Sequence, residues 1–200
     1  MCLEGNKTMI LNLAAGSKRY PGDVLNVDLM EGEGIDYVAD LSKYPWIWED
    51  DAVDGIHASH ILEHFSVADQ EKFIRECHRI LKPGGFLRIV VPHVTNVCSM
   101  GCFGHYKCFS VNSFHFYLDN PGILNAYLFK GMRFKTVENR INWLWETLGE
   151  GTTTAKIRKY LGPVEWMVNK AINFCPNFFE RCWYPLVFGA SECVWKGVKE

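Results

Sequence analysis

The 200-residue chain has no apolar run that approaches the roughly 18 residues needed to cross a bilayer, because charge or proline interrupts each one. No transmembrane segment is expected. The apolar core of a secretory signal is also missing, since Met1 to Thr8 carry Glu4 and Lys7, and a cytoplasmic location follows as an expectation. There is no excess of one charge. With 21 basic and 23 acidic side chains and a net charge of −2, no global field draws phosphates, so a nucleic-acid partner is not expected. Paired CxxC motifs and the GxGxxG dinucleotide fingerprint are absent. The eight cysteines, at positions 2, 77, 98, 102, 108, 175, 182 and 193, therefore read as reduced, mostly buried thiols and not as a disulfide framework.

Hydrophobic residues make up 48% of the chain, enough for one substantial core and hence one domain over residues 1–200. Met9 to Leu13 (MILNL) is a short apolar run halted by Ala14, Ala15 and Gly16, which suits a buried strand meeting a tight turn. Val24 to Val27 predicts a second strand ending at Asp28, with room before it for only a turn or two of helix. Tyr37 to Ala39, followed by Asp40, predicts a third strand, and Val53 to Ser59 a fourth. Apolar residues at spacings of three and four predict a helix over Asp69 to Leu81, stopped at Lys82 to Gly85 with glycine as its left-handed cap. Phe86 to Val91 predicts a fifth strand. Farther on, the pattern predicts a helix over Ser113 to Lys130, a strand over Phe134 to Trp143, a helix over Glu165 to Phe174 and a closing strand over Glu192 to Val198. Residues 149–188 stand as an insertion before that last strand. Strand and helix alternating in this way predict an α/β fold, a Rossmann-like doubly wound, mostly parallel sheet with helices on both faces.

Such sheets bind ligands at the carboxyl ends of their strands, where first-turn amides meet an acidic residue at the end of the second strand. Ala14 to Ser17 and Asp28 hold those positions. Small residues let a ligand approach the backbone, and the Asp28 carboxylate can accept from both hydroxyls of a ribose diol. The same turn would also serve merely to pack a strand against a helix.

The segments LNLAAGSKRYPGDVLNVDL, YVADL, VDGIHASHILEHF and ECHRILKPGGFLRIVVPH occur in this order over residues 11–93. They resemble the class I S-adenosylmethionine-dependent methyltransferases, in particular the type 11-like group whose first motif reads LNLGSG before a strand ending NVD. The resemblance implies S-adenosylmethionine as cofactor. It implies that Ala14, Ala15, Gly16 and Ser17 line the methionine moiety and that Asp28 holds the ribose. It further implies that Asp40 accepts from the adenine amine, that Leu41 flanks the ring, and that Ser59 and His60 lie beside the sulfonium. Ala14 departs from the family's glycine and adds a methyl group where the ligand passes.

Methyl transfer is an in-line displacement that relies on positioning, with a base needed only if the acceptor must lose a proton. Among His60, His64, His93 and His105, His93 is the first candidate because it follows the fifth strand directly, whereas Glu63 and His64 suit helix-start packing. No metal is expected, because Cys98, Cys102 and Cys108 with His93 and His105 do not have zinc-site spacing. The aromatic run Phe174, Phe178, Phe179, Trp183, Tyr184 and Phe188 is expected to pack in the core, with acceptor choice or a homodimer seam as its other uses. The expected partner is a small-molecule or glycan-linked acceptor. A catalytically silent cofactor-binding scaffold is the alternative, and a nicotinamide oxidoreductase is disfavoured by the missing fingerprint.

Overall fold

Strands β1 (Ile10–Leu13), β2 (Val24–Asp28), β3 (Tyr37–Val38), β4 (Val53–Ser59), β5 (Leu81–Pro92), β6 (Phe134–Asn142) and β7 (Glu192–Lys199) form one sheet in the order β3-β2-β1-β4-β5-β7-β6. The computed structural model describes residues 8–16, 20, 23–96, 99, 101–119, 128–143, 153–183 and 190–200, apart from the side chains of 116, 153–160, 182 and 183. β1 to β5 pair in parallel, and β7 runs antiparallel between β5 and β6. The mostly parallel, Rossmann-like α/β sheet expected from the alternating pattern is thus present. Its central strands contribute Leu11, Leu13, Ile56, Leu87, Ile89 and Val91, all fully buried, as continuous apolar runs flanked on both sides require. The chain leaves β1 outward through β2 and β3 and returns to β4 on the other side. That reversal opens a crevice at the carboxyl ends of β1 and β4.

Helix α1 (Val67–Ile80) starts two residues before the expected Asp69, because Ser66 caps it by accepting from the Asp69 amide at 3.2 Å. Phe73, Ile74, Cys77 and Ile80 make its buried face. Its end differs from expectation. The Leu81 amide closes the last turn on Cys77 O from an extended conformation, and Leu81 already pairs with Val53, so no glycine caps the helix. Gly84, at φ +82, instead serves an irregularity within β5, where pairing to β4 jumps between Val53 and Gly55. Lys82 fastens this bulge by donating to both carboxylate oxygens of Asp54 at 2.8 and 2.9 Å.

β6 and β7 occur where the pattern places them, β6 one residue shorter and β7 one residue longer. Of the helix expected over 113–130, the structure describes a single wide turn at His115–Asp119 and the short stretch from Leu128, while residues 120–127 lie outside the described residues. In the insertion, helix α2 (Thr153–Phe174) is longer than the expected 165–174. It lies along the edge strand: Asn173 accepts from the Ile141 amide and donates to the Ile141 carbonyl, each at 2.7 Å, and Asn169 accepts from the Trp143 amide at 2.8 Å. The otherwise unpaired edge of β6 is thereby covered. Phe179 packs with Val111, Ile141, Ile172 and Ala190, but Phe174 and Phe178 are exposed. Core packing therefore holds for Phe179 alone among the described side chains of that aromatic run. Among the described thiols, Cys77 and Cys193 are buried, Cys108 is half-buried and Cys102 and Cys175 are exposed, a smaller buried share than expected. Among the described residues no helix is long and apolar enough to cross a membrane.

His78, near the end of α1, stands edge-on to Phe134 at 5.4 Å. Burial, reinforced by the Lys199 ammonium, pushes its imidazole down to about 4 from an ordinary 6.5. The folded chain keeps the ring neutral while the unfolded chain protonates it, so its contribution to stability is present above pH 6.5 and is lost as pH falls toward 4. The thermal unfolding midpoint is expected to drop across that window, with a shallower drop in His78→Leu; parallel curves for the two proteins would show that another group is responsible.

Candidate active site

At the end of β1 the chain turns through Ala14 and Gly16, both left-handed, with φ of 55° and 52°. Two amides lock this turn to β2. Ala15 N–H donates to Val27 O at 3.0 Å, and Gly16 N–H donates to Asp28 Oδ2 at 2.8 Å. Asp28 Oδ1 accepts from the Met30 amide at 3.2 Å. A carboxylate has about four lone-pair sites, so Asp28 retains acceptor capacity for a hydroxyl pair. A Cβ built on Gly16 would meet no atom within 4 Å, so this part of the turn faces open space.

Below the turn is a cavity of about 180 Å³, whose walls include Ala14, Asp28, Leu29, Asp40, Leu41 and Ile61. Asp40 Oδ1 accepts from the Ser42 amide at 3.0 Å and from the Ser42 hydroxyl at 2.6 Å, and these bonds hold its carboxyl below the usual carboxylate range. A pair of acidic groups, one at each side of a recess walled by Leu41 and Ile61, can hold a polar rim and a flat apolar ring together. Of the residues expected here, the structure brings Ala14, Asp28, Asp40 and Leu41 to one cavity and ties Gly16 to it through Asp28. Ala15 is buried behind the turn, and Ser17 lies outside the described residues. Ser59 and His60 do not line this cavity. Leu29, Ala39, Ser42, Ile61 and Phe65 do, and were not anticipated. Ile61 and Phe65 flank a single 3-10 turn at Leu62–His64, and short-range periodicity does not reveal which way so brief a turn points.

His60 follows β4 with φ of 54°, a left-handed conformation that costs a side-chain-bearing residue energy unless its surroundings enforce it. Two carboxylates do so. Nδ1 bonds Glu63 Oε1 at 3.1 Å, and Nε2 bonds Glu192 Oε1 at 2.9 Å. Burial alone would push the imidazole down, but the hydrogen bonds from Glu192 and Glu63 outweigh it and raise the ring to about 9. Glu192 and Glu63 are themselves 0% and 1% exposed. The adjacent Ser59 hydroxyl is buried without a hydrogen-bond partner among the described residues.

His93 follows β5 directly, where the sequence places it. It is wholly buried, with Nδ1 on Thr95 Oγ1 at 2.8 Å and Nε2 on Glu180 Oε1 at 3.0 Å, and it fastens the insertion to the end of β5. His105 lies beside His64, their ring centroids 4.7 Å apart.

Residues 5–89 match the family of methyltransferase domains. Among solved structures, a SAM-dependent methyltransferase from Archaeoglobus fulgidus aligns over 96% of this chain and 86% of its own, with a TM-score of 0.55 and 17% identity. The YcgJ protein of Bacillus subtilis aligns over 98% of this chain and 93% of its own, with a TM-score of 0.54 and 13% identity. At these identities the likeness is one of fold. No curated protein matches the chain by sequence.

Two substitutions test the geometry. A left-handed backbone costs alanine about 1 kcal/mol and glycine almost nothing, partly offset by glycine's greater freedom when unfolded, so Ala14→Gly is expected to raise stability by up to about 1 kcal/mol in denaturant titrations. A loss would mean that the Ala14 methyl packs to advantage. His60→Leu would leave two buried carboxylates without their shared partner and is expected to cost about 1–3 kcal/mol in the same assay; an unchanged midpoint would show that water replaces the ring.

Proposed function

We propose that this chain is a class I S-adenosylmethionine-dependent methyltransferase, a reading supported by the match of residues 5–89 to the methyltransferase-domain family, and that it methylates a small-molecule or glycan-linked acceptor. The observation that carries the proposal is the single cavity that unites Ala14, Asp28, Asp40 and Leu41 at the carboxyl ends of β1 and β2. The residues present suit the cofactor: carboxylates for a ribose diol and an exocyclic amine, apolar side chains for a purine face, and an open turn at Gly16. When bound, S-adenosylmethionine supplies an electrophilic methyl group on a positively charged sulfur.

In this reading Asp28 accepts from the ribose hydroxyls and Asp40 from the adenine amine, while Leu41, Ile61 and Phe65 flank the ring. Ala14 and Gly16 leave room for the methionine portion. Ser59 and His60 border the reacting end. The carboxylates of Glu63 and Glu192 on either side of the His60 ring favour a cationic sulfur nearby. The chain's remaining task is to align donor and acceptor. His93 is buried and bonded at both ring nitrogens, so in this reading it holds the insertion to β5 and no proton-transfer role is assigned to it.

Support for a small acceptor comes from a second cavity of about 420 Å³, walled by Leu62, Ile74, Phe109, Phe114 and Phe129 with Lys107 at its margin. Its volume lies in the range typical of small-molecule sites. It begins at Leu62, the residue after the cofactor cavity's Ile61. A cofactor-binding scaffold without turnover is the second reading, favoured by Ala14 holding a left-handed position where a β-carbon narrows the turn.

Calorimetric titration with S-adenosylmethionine and S-adenosylhomocysteine, on the intact chain and on Asp28→Asn, tests the proposal. Micromolar binding is expected, weakened at least about tenfold in the variant, which corresponds to about 1.4 kcal/mol. Failure of the intact chain to bind either compound would overturn the proposal, and binding with no transfer to any of a panel of small acceptors would favour the scaffold.

A further inference from the structure

The 3-10 turn at Leu62–His64 and the loop after β5 bring together three groups that the cofactor cavity does not use. Glu63, His64 and His105 each present a ligand atom, and the three atoms lie within 4.8 Å of one another. We propose that Glu63, His64 and His105 form a binding site for one divalent transition-metal ion.

The donor set is two imidazoles and one carboxylate. Nitrogen-rich sets of this kind select first-row transition ions such as zinc, iron or manganese, whereas magnesium takes oxygen donors. Three protein ligands leave coordination positions open for water or an oxygen-bearing ligand, as in non-structural zinc sites. His64 is the exposed member of the three, so those open positions face solvent.

Glu63 provides an independent pointer. Its side chain is 1% exposed, Oε1 is engaged by His60, and Oε2 is buried with no hydrogen-bond partner among the described residues. A buried carboxylate oxygen in that state costs free energy that a cation would recover. The surrounding groups also match the usual arrangement behind metal ligands, where each ligand's far side is held by a further hydrogen bond. His105 Nδ1 bonds Ser99 Oγ at 2.8 Å, which fixes the ring and leaves Nε2 as its donor. His60 fixes Glu63 in the same way. The loop is tied down by Tyr106 N–H, which donates to Glu63 O at 2.7 Å.

Donors around one tetrahedral ion stand roughly 3.3 Å apart, given bonds of about 2.0–2.2 Å. The present separation therefore closes by up to about 1.5 Å on binding, a movement within reach of the exposed His64 side chain. Among the described residues the site has no cysteine, which separates it from a zinc-finger pattern.

The site stands whether or not the chain transfers methyl groups, and its test does not involve activity. The full chain, stripped with a chelator and dialysed, is titrated calorimetrically with zinc, and its content is checked by elemental analysis. One equivalent is expected to bind. His64→Ala and His105→Ala should each weaken binding at least about a hundredfold and Ser99→Ala about tenfold, with His115→Ala unchanged. Melting of the metal-free variants reports on their fold. Cobalt substitution adds a visible absorption band that the two histidine variants should lose. Absence of zinc binding by the intact chain, or binding equally tight in His64→Ala and His105→Ala, would overturn the site.

Discussion

Glu63 and Glu192 are buried carboxylates 129 positions apart, and one imidazole lies between them and bonds both. Removing either carboxylate from water costs several kcal/mol, so the geometry that recovers this cost is tightly specified. His60 meets it by adopting a left-handed backbone that places Nδ1 toward the turn after β4 and Nε2 toward the start of β7. Asn142 adds a bond from β6, donating to Glu192 Oε2 at 3.4 Å. The ends of β4, β6 and β7 are thereby fixed relative to one another by charge and not only by ladder pairing.

This constraint reaches the candidate site through four residues. With His60 pinned, Ile61 enters the wall of the cavity beside Asp28 and Asp40, Leu62 the wall of the larger apolar cavity, and Glu63 and His64 the loop after β5. Successive residues of one tight turn face different surroundings because a 3-10 turn rotates each side chain by about a third of a revolution. A single short element thus divides the space above the sheet, and the electrostatic clamp behind it keeps that division in register.

The sequence was most informative where side chains act through local rules. The apolar run before Ala14, the acidic residue ending β2 and the spacing of Phe73, Ile74, Cys77 and Ile80 each express a period or a turn preference, and all appear as expected. The role of Gly84 and the surroundings of His93 escaped local reading for a common reason. Gly84 follows a helix in sequence, but its left-handed conformation serves a strand irregularity set by pairing with β4. His93 follows a strand, but its environment is made by Glu180, 87 residues farther on. The same limit hid Ile61 and Phe65 from view as cavity walls, and hid the approach of His105 to His64. Local pattern carries periodicity and caps; it does not carry contacts between distant segments.

That limit bears on how the first half of the chain can function. Residues 5–89 contain the turn, both carboxylates of the cofactor cavity and His60, yet they lack the second carboxylate that His60 requires. Glu192 comes from the last strand, which enters the sheet between β5 and β6 and is held there by Trp195, packed against Phe114 and Phe134 and donating to Thr136 Oγ1 at 3.0 Å. Lys199, at the strand's far end, donates to the carbonyls of His78 and Leu81, where α1 passes into β5. The C-terminal strand is therefore anchored at both ends to the N-terminal half, and the charge balance beside the crevice is completed only when β7 is in place. A fragment ending after β5 would retain the ligand-facing residues and still leave Glu63 and His60 without the partner that sets their geometry.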